Sequence, residues 1–223
     1  GLSMGFSFLT QAVLEHKASP GHEGVSLIGA AGYCVGFLIV VLGRQQLFTE
    51  STLTVVLPVL TRRDLRTAAA ALRLWVIVLG ANLVGTWIFA GLLALPTSFA
   101  QQLAPTLDKL GAAPLDAGFA VTTLKAVLAG WLIALMVWLL PNARSAAVLI
   151  VAVLTYVVAV CELAHVIAGS VEAAYTVLRG HATPPDYLLR FLAPTLLGNV
   201  VGGIALVGLL NHASIAPEMS GHS

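Results

Sequence analysis

One histidine, His165, stands inside an apolar run that extends from Val148 to Ser170. The run is long enough to cross a bilayer, where an ionisable side chain is costly unless it faces protein or water. Histidine exchanges a proton near neutral pH, its ordinary pKa being ~6.5. The chemistry open to this position is therefore proton donation and acceptance. Glu162, about one turn earlier, is read as a second polar group on the same transport or proton path. About half a chain before it, Gly43-Arg-Gln-Gln-Leu-Phe-Thr-Glu-Ser51 interrupts another apolar stretch. Two broken spans in corresponding halves point to a binding site at the membrane midplane.

The elements that must hold these residues are transmembrane helices. The chain has 223 residues, of which 58% are hydrophobic and 9% charged. Soluble domains carry ~25% charged residues, so this composition marks an integral membrane protein. A net charge of +1 gives no basic field for nucleic acid. Cys34 and Cys161 both lie in apolar runs and read as small packing residues rather than a disulfide or zinc pair. Six spans are expected: Gly1–His16, Val25–Leu60, Ala68–Leu95, Ala117–Leu140, Ser145–Leu178 and Leu188–Leu210. The second and fifth are too long for one crossing and read as half-helices joined at their polar centres. The first is short, as if it lacked a turn or a preceding cytoplasmic segment. Loops are expected at Lys17–Gly24, Thr61–Thr67, Pro96–Asp116, Pro141–Arg144 and around Arg179–Tyr187, with a tail over 213–223. The cluster Arg62, Arg63, Arg66 and Arg73 favours a cytoplasmic side for its loop, which places both termini in the cytoplasm. Trp75, Trp87 and Trp138 read as interfacial anchors.

The chain also repeats itself. Asn82-Leu-Val-Gly85 recurs as Asn199-Val-Val-Gly202, an offset of 117 residues. The same offset carries Phe48 or Thr49 onto His165 or Val166, so the two breaks fall in register. Three spans per repeat, approximately 1–95 and 117–212, imply insertion with opposite topology within one transmembrane domain. Gly29, Gly32 and Gly36, like Gly198, Gly202 and Gly203, have the spacing that lets helices approach closely in lipid. Asn82 and Asn199 can either tie interrupted backbone groups together or touch a solute directly.

Leu47-Phe48-Thr49 after a glycine-led break, His165 followed by Val-Ile-Ala, and Pro194-Thr-Leu-Leu-Gly-Asn199-Val-Val-Gly-Gly203 together resemble the formate–nitrite transporter family over nearly the whole chain. The resemblance implies an all-α membrane protein with an aquaporin-like inverted repeat, assembled as a homopentamer with one pore per protomer. It implies small monovalent weak-acid anions as solutes, with a proton as partner, in a bacterial inner membrane. It also implies Thr49 as hydroxyl partner of His165, Leu47, Phe48 and Val158 as an apolar constriction, and Lys125 as a vestibule cation. The chain departs from formate and nitrite members at three places: its break carries Arg44 and Glu50, Ala164 precedes the histidine, and Gly130 stands where many members have an asparagine. That places it in a less characterised branch.

An anion entering hydrocarbon must be paired or neutralised, and a weak acid is neutralised by a proton that histidine could lend. Arg44 and Glu50 flank the first break and are expected to brace it, pairing with each other. Rival readings are a neutral-solute pore for water or glycerol and a structural membrane protein with a closed pore. An enzyme is not expected: the chain has no Gly-x-Ser-x-Gly and no His-Glu-x-x-His, the signatures of a hydrolase nucleophile and a zinc site. No cofactor or metal is indicated.

Overall fold

The computed structural model describes residues 1–18 and 27–220, without the side chains of 52–54, 57 and 207–220. A short 3₁₀ turn, Leu2–Met4, leads into α1 (Gly5–Lys17). Helices α2 (Leu27–Leu42) and α3 (Phe48–Arg62) are separated by residues 43–47. Then come α4 (Leu65–Ala94), α5 (Ser98–Asp116), α6 (Phe119–Leu139) and two 3₁₀ turns, Leu140–Asn142 and Arg144–Ala146. Helices α7 (Ala147–Val160) and α8 (Ala168–Leu178) flank the second break, 161–167. The short α9 (Pro184–Asp186) and a π-helical stretch, Tyr187–Leu192, precede α10 (Ala193–Ser220). No strand occurs among the described residues.

Among the described residues, three helices are long and apolar enough to cross a membrane: Leu65–Ala94, Phe119–Asn142 and Pro184–Leu206. Helices α2 and α7, apolar but shorter, fall below the ~20 residues that a full crossing needs. Large apolar side chains are exposed along these helices, among them Val84 and Leu92 on α4, Leu124 on α6, Leu149 on α7 and Leu197 on α10. A bare apolar exterior of this extent is a surface for lipid or for other subunits.

Close backbone approach organises the interior. Gly29, Gly32 and Gly36 of α2 all face α1. On the other side α10 packs along α6, where a Cβ at Gly130 would lie 2.3 Å from the carbonyl oxygen of Asn199. No side chain fits there without moving α10 away from α6, so glycine at 130 goes with the close approach of these two helices.

Several expectations are corrected. Within residues 96–116, read as a loop, Ser98–Asp116 form α5. Its residues Ala100, Leu103, Leu107, Gly111 and Leu115 are buried at intervals of three and four, one face of an amphipathic helix. Thr97 caps it by accepting the N–H of Ala100 at 3.1 Å. Pro105 and Pro114 inside the helix obscure that period in the sequence. The segment 61–67 is helical except at Arg63 and Asp64. There Asp64 caps α4, and the backbone N–H and hydroxyl of Thr67 hold its carboxyl below the usual carboxylate range. Helix α10 continues to Ser220, through most of the expected tail. Trp75 and Trp87 pack inward, on Phe48 and Tyr187 respectively, because each finds an aromatic partner there. Cys34 is buried as expected, but Cys161 is exposed, since it closes α7 at the second break. Residues 19–24 of the expected loop Lys17–Gly24 lie outside the described residues.

Candidate functional site

The two breaks are built alike. After α2, the N–H of Arg44 bonds the carbonyl of Val41 (3.1 Å) and that of Gln45 bonds Val40 (2.9 Å). After α7, Glu162 bonds Ala159 (3.0 Å) and Leu163 bonds Val158 (2.9 Å). Each pair of bonds is a Schellman closure, which needs one residue in the left-handed region. Arg44 (φ 51) and Glu162 (φ 49) occupy it. Gly180 (φ 77) closes α8 with the same bonding pattern. A non-glycine residue in that conformation costs ~1–2 kcal/mol, so both breaks carry strain that glycine would not.

An asparagine grips each break from outside. Asn82 of α4 accepts the N–H of Phe48 (3.1 Å) and donates to the carbonyl of Gln46 (3.1 Å). Asn199 of α10 accepts the N–H of Val166 (2.8 Å) and donates to the carbonyl of Ala164 (2.9 Å). It also donates to the carbonyl of Ala126 in α6 at 2.8 Å. Of the two roles open to these asparagines, the backbone-tying one is seen directly. Backbone groups left unpaired inside an apolar protein are costly, and at the two breaks these amides satisfy four of them. The residue bracketed by the first asparagine is Leu47, and by the second His165. The breaks therefore correspond at an offset of 118, one more than the asparagines, and this corrects the register: Leu47, not Phe48, matches His165, and Phe48, not Thr49, matches Val166.

Thr49 and His165 nevertheless meet. The Thr49 Oγ1 lies 2.8 Å from His165 Nε2, and both residues are buried. The N–H of Ala168 donates to His165 Nδ1 at 3.1 Å. With Nδ1 accepting, the proton of a neutral imidazole sits on Nε2 and is donated to Thr49. The hydroxyl proton of Thr49 is then available to a third partner. Phe37 sets its ring edgewise against the imidazole, centroids 5.0 Å apart.

His165 lines a cavity of about 140 Å³ together with Val158, Lys125, Glu162, Tyr33 and Glu172. Lys125 Nζ lies 3.6 Å from Glu162 Oε2, both side chains partly in solvent. Glu162 thus pairs with Lys125, partly in solvent, where an ion pair keeps much of its hydration. Leu47 and Phe48 are buried in the same apolar cluster as Val158 but do not line this cavity. Arg44 and Glu50 form no ion pair among the described residues: Arg44 is exposed, while Glu50 Oε1 is buried without a hydrogen-bond partner. Arg44 lies in the exposed turn between the helices, and Glu50 in the first turn of α3. Phe37, Tyr33 and Glu172 are site residues that the sequence pattern does not single out. Glu172 carries a signal all the same, being an acid in the same apolar span two helical turns after His165. No group of three or more metal-ligating side chains occurs among the described residues.

An all-helical chain with long apolar helices, an apolar exterior and a polar pair held between two helix breaks is built as a membrane transport protein. The chain matches the formate/nitrite transporter family over residues 1–213 and belongs to it. It is 36% identical over 220 residues to the inner membrane protein YfdC of Escherichia coli, covering 99% of this chain and 71% of that one. It is 29% identical to the uncharacterized transporter YrhG of Bacillus subtilis, covering 83% of this chain and 70% of that one. The formate channel BtFdhC of Bacillus thuringiensis is 26% identical, with 98% and 84% covered. The fold is similar to that of a pentameric formate channel with formate bound, with a TM-score of 0.82, 20% identity, and 96% and 93% of the two chains covered.

Proposed function

We propose that this chain forms a pore for small monovalent weak-acid anions of the formate or nitrite type, which cross the narrowest part as neutral acids. The observation that carries this reading is the hydrogen bond between Thr49 and His165, made across two breaks that separate asparagines hold open. In this reading the chain is a single six-span domain of two inverted repeats, with α2/α3 and α7/α8 as its interrupted spans. Five copies assemble in a bacterial inner membrane with both termini in the cytoplasm. The protein is a transporter rather than an enzyme.

The anion enters past Lys125, which lines the cavity with its charge partnered by Glu162. The anion then meets the free hydroxyl proton of Thr49, polarised by the Nε2–H of His165. Its charge favours a second proton on the ring, and the N–H of Ala168 must yield Nδ1 to admit it. Protonation of the anion by His165 is thereby tied to a shift in the first turn of α8. The apolar side chains Leu47, Phe48 and Val158 pass the neutral acid and reject hydrated ions.

The test is flux of formate, nitrite and chloride into liposomes at pH about 5.5 and about 7.5, wild type beside His165→Phe. Weak-acid flux is expected to be faster at the lower pH and to vanish in the variant, with the pentamer intact. Equal flux in the variant would refute the relay. No anion flux in the wild type would favour a closed pore, and water or glycerol flow without anion flux a neutral-solute pore.

A further inference from the structure

Glu172 lines the same cavity as His165. It lies on α8 one turn after Gly169, which faces that cavity too. Its carboxylate accepts no hydrogen bond and has no cation within ion-pair distance among the described residues. Lys125, the cation that lines the cavity, is already partnered by Glu162 at 3.6 Å.

The surroundings of Glu172 supply no other countercharge. From α1 comes Gln11, whose amide donates to Glu15 at 3.3 Å. From α2 comes Tyr33, which lines the same cavity. From α5, Asp108 turns to Arg179 (3.5 Å) and His181 (3.8 Å) at the far end of α8. From the stretch 187–192, Arg190 donates to the carbonyl of Leu115 and lies 3.7 Å from Asp186. Tyr187 shares its hydroxyl with Ser170 at 3.0 Å. The arginines of α4, Arg66 and Arg73, are exposed in its first turns.

With Lys125 and Glu162 cancelling, an ionised Glu172 would leave this small cavity with one excess negative charge. An entering anion would then meet a like charge in a space that screens it poorly, and such sharing is strongly disfavoured. A protonated carboxyl removes the repulsion and offers an O–H donor. We infer, resting on the weak-acid reading above, that Glu172 stands in this cavity as the neutral acid and donates its O–H to the entering anion. Loss of that proton shuts the vestibule to anions. The proton exchanges with cavity water, and no covalent step is involved. The solute class that fits is a small anion with an oxygen acceptor.

The experiment compares wild type with Glu172→Gln, which keeps size and a donor but cannot ionise. Formate flux into liposomes is measured at pH about 5.5 and about 8.5. The ratio of variant to wild-type flux cancels the pH dependence of formic acid itself. It is expected near one at the lower pH and to rise at least about tenfold at the higher, and a constant ratio overturns the proposal. In parallel, infrared spectra of the solute-free protein at neutral pH are expected to show a carboxylic-acid carbonyl band in wild type that Glu172→Gln lacks. If neither protein passes formate, the weak-acid reading fails, and the infrared band alone decides on Glu172: its absence from wild type overturns the neutral acid. If the glutamine variant does not assemble, Glu172→Met replaces it in the infrared measurement, with the same expected loss of the band.

Discussion

At the first break an asparagine holds the backbone on either side of Leu47; at the second, another does the same on either side of His165. The turns that lead into them share their hydrogen bonds and their left-handed residue, Arg44 in one and Glu162 in the other. The scaffold is thus duplicated while the chemistry is not. A leucine at the bracketed position presents only an apolar surface, and the histidine at its counterpart presents a ring whose two nitrogens are both engaged. Backbone geometry builds the two breaks alike, and one side chain in one copy adds an ionisable ring between them.

The largest expected effect follows from the one feature in which the two grips differ. Asn199 reaches a third element through Ala126 of α6, and Asn82 has no such tie. Asn199→Ala and Asn82→Ala each leave one buried N–H and one part-buried carbonyl at a break without their amide partner, worth ~1–3 kcal/mol apiece when buried. Asn199→Ala also removes a second bond from the Ala126 carbonyl, which keeps its helical partner, at a net ~1 kcal/mol. Thermal unfolding in detergent should show Asn199→Ala losing ~3 kcal/mol or more and Asn82→Ala ~1 kcal/mol less than that. Equal losses would mean that the α6 tie carries no weight. A smaller effect is expected at the contact between the breaks. Thr49→Val keeps the volume of the side chain and removes the hydroxyl, at a net ~1 kcal/mol for a lost hydrogen bond. Formate flux should fall about fivefold with assembly unchanged, and undiminished flux would show that His165 acts without its partner.

The smallest effect separates the two turns. Glycine at Arg44 relieves the left-handed strain but loosens the unfolded chain, leaving a gain of ~0.5 kcal/mol. Glycine at Glu162 does the same and also loses the Lys125 pair, worth ~0–1 kcal/mol at a solvent-facing site. Arg44→Gly should therefore raise the unfolding temperature slightly and Glu162→Gly should not. A larger gain at Glu162 would contradict the pairing.

Much of this arrangement is legible in the amino-acid sequence, for reasons that belong to particular residues. His165 and the Gly43–Ser51 break are polar interruptions in apolar runs, and such interruptions stand out in a linear pattern. The asparagines show as a repeated motif, but the motif repeats at 117 and the breaks at 118, so only the hydrogen bonds give the register. Arg44 and Glu50 look like a pair because they are close in sequence and opposite in charge. A positive φ at an arginine leaves no trace in the residue type, nor does the placing of Arg44 in an exposed turn and of Glu50 in the first turn of α3. The Lys125–Glu162 pair joins two distant segments of the chain and is likewise invisible. Helix α5 hides in the sequence because its prolines break the visible period while the buried face continues beneath them. Glu172 hides too, because an acid near the end of an apolar run reads as a helix terminus rather than a cavity wall.

The hydrogen bond from the Ala168 N–H to His165 Nδ1 bears on bioenergetics. A chain of exchangeable groups short-circuits a proton gradient when a proton can enter an imidazole at one nitrogen while another leaves from the second. Here the second nitrogen is stoppered by the backbone, and charging the ring requires that stopper to be withdrawn. With no anion present there is nothing to withdraw it. Under the proposed relay an idle pore is a dead end for protons, and a cell keeping it in an energised membrane would not discharge the membrane through it.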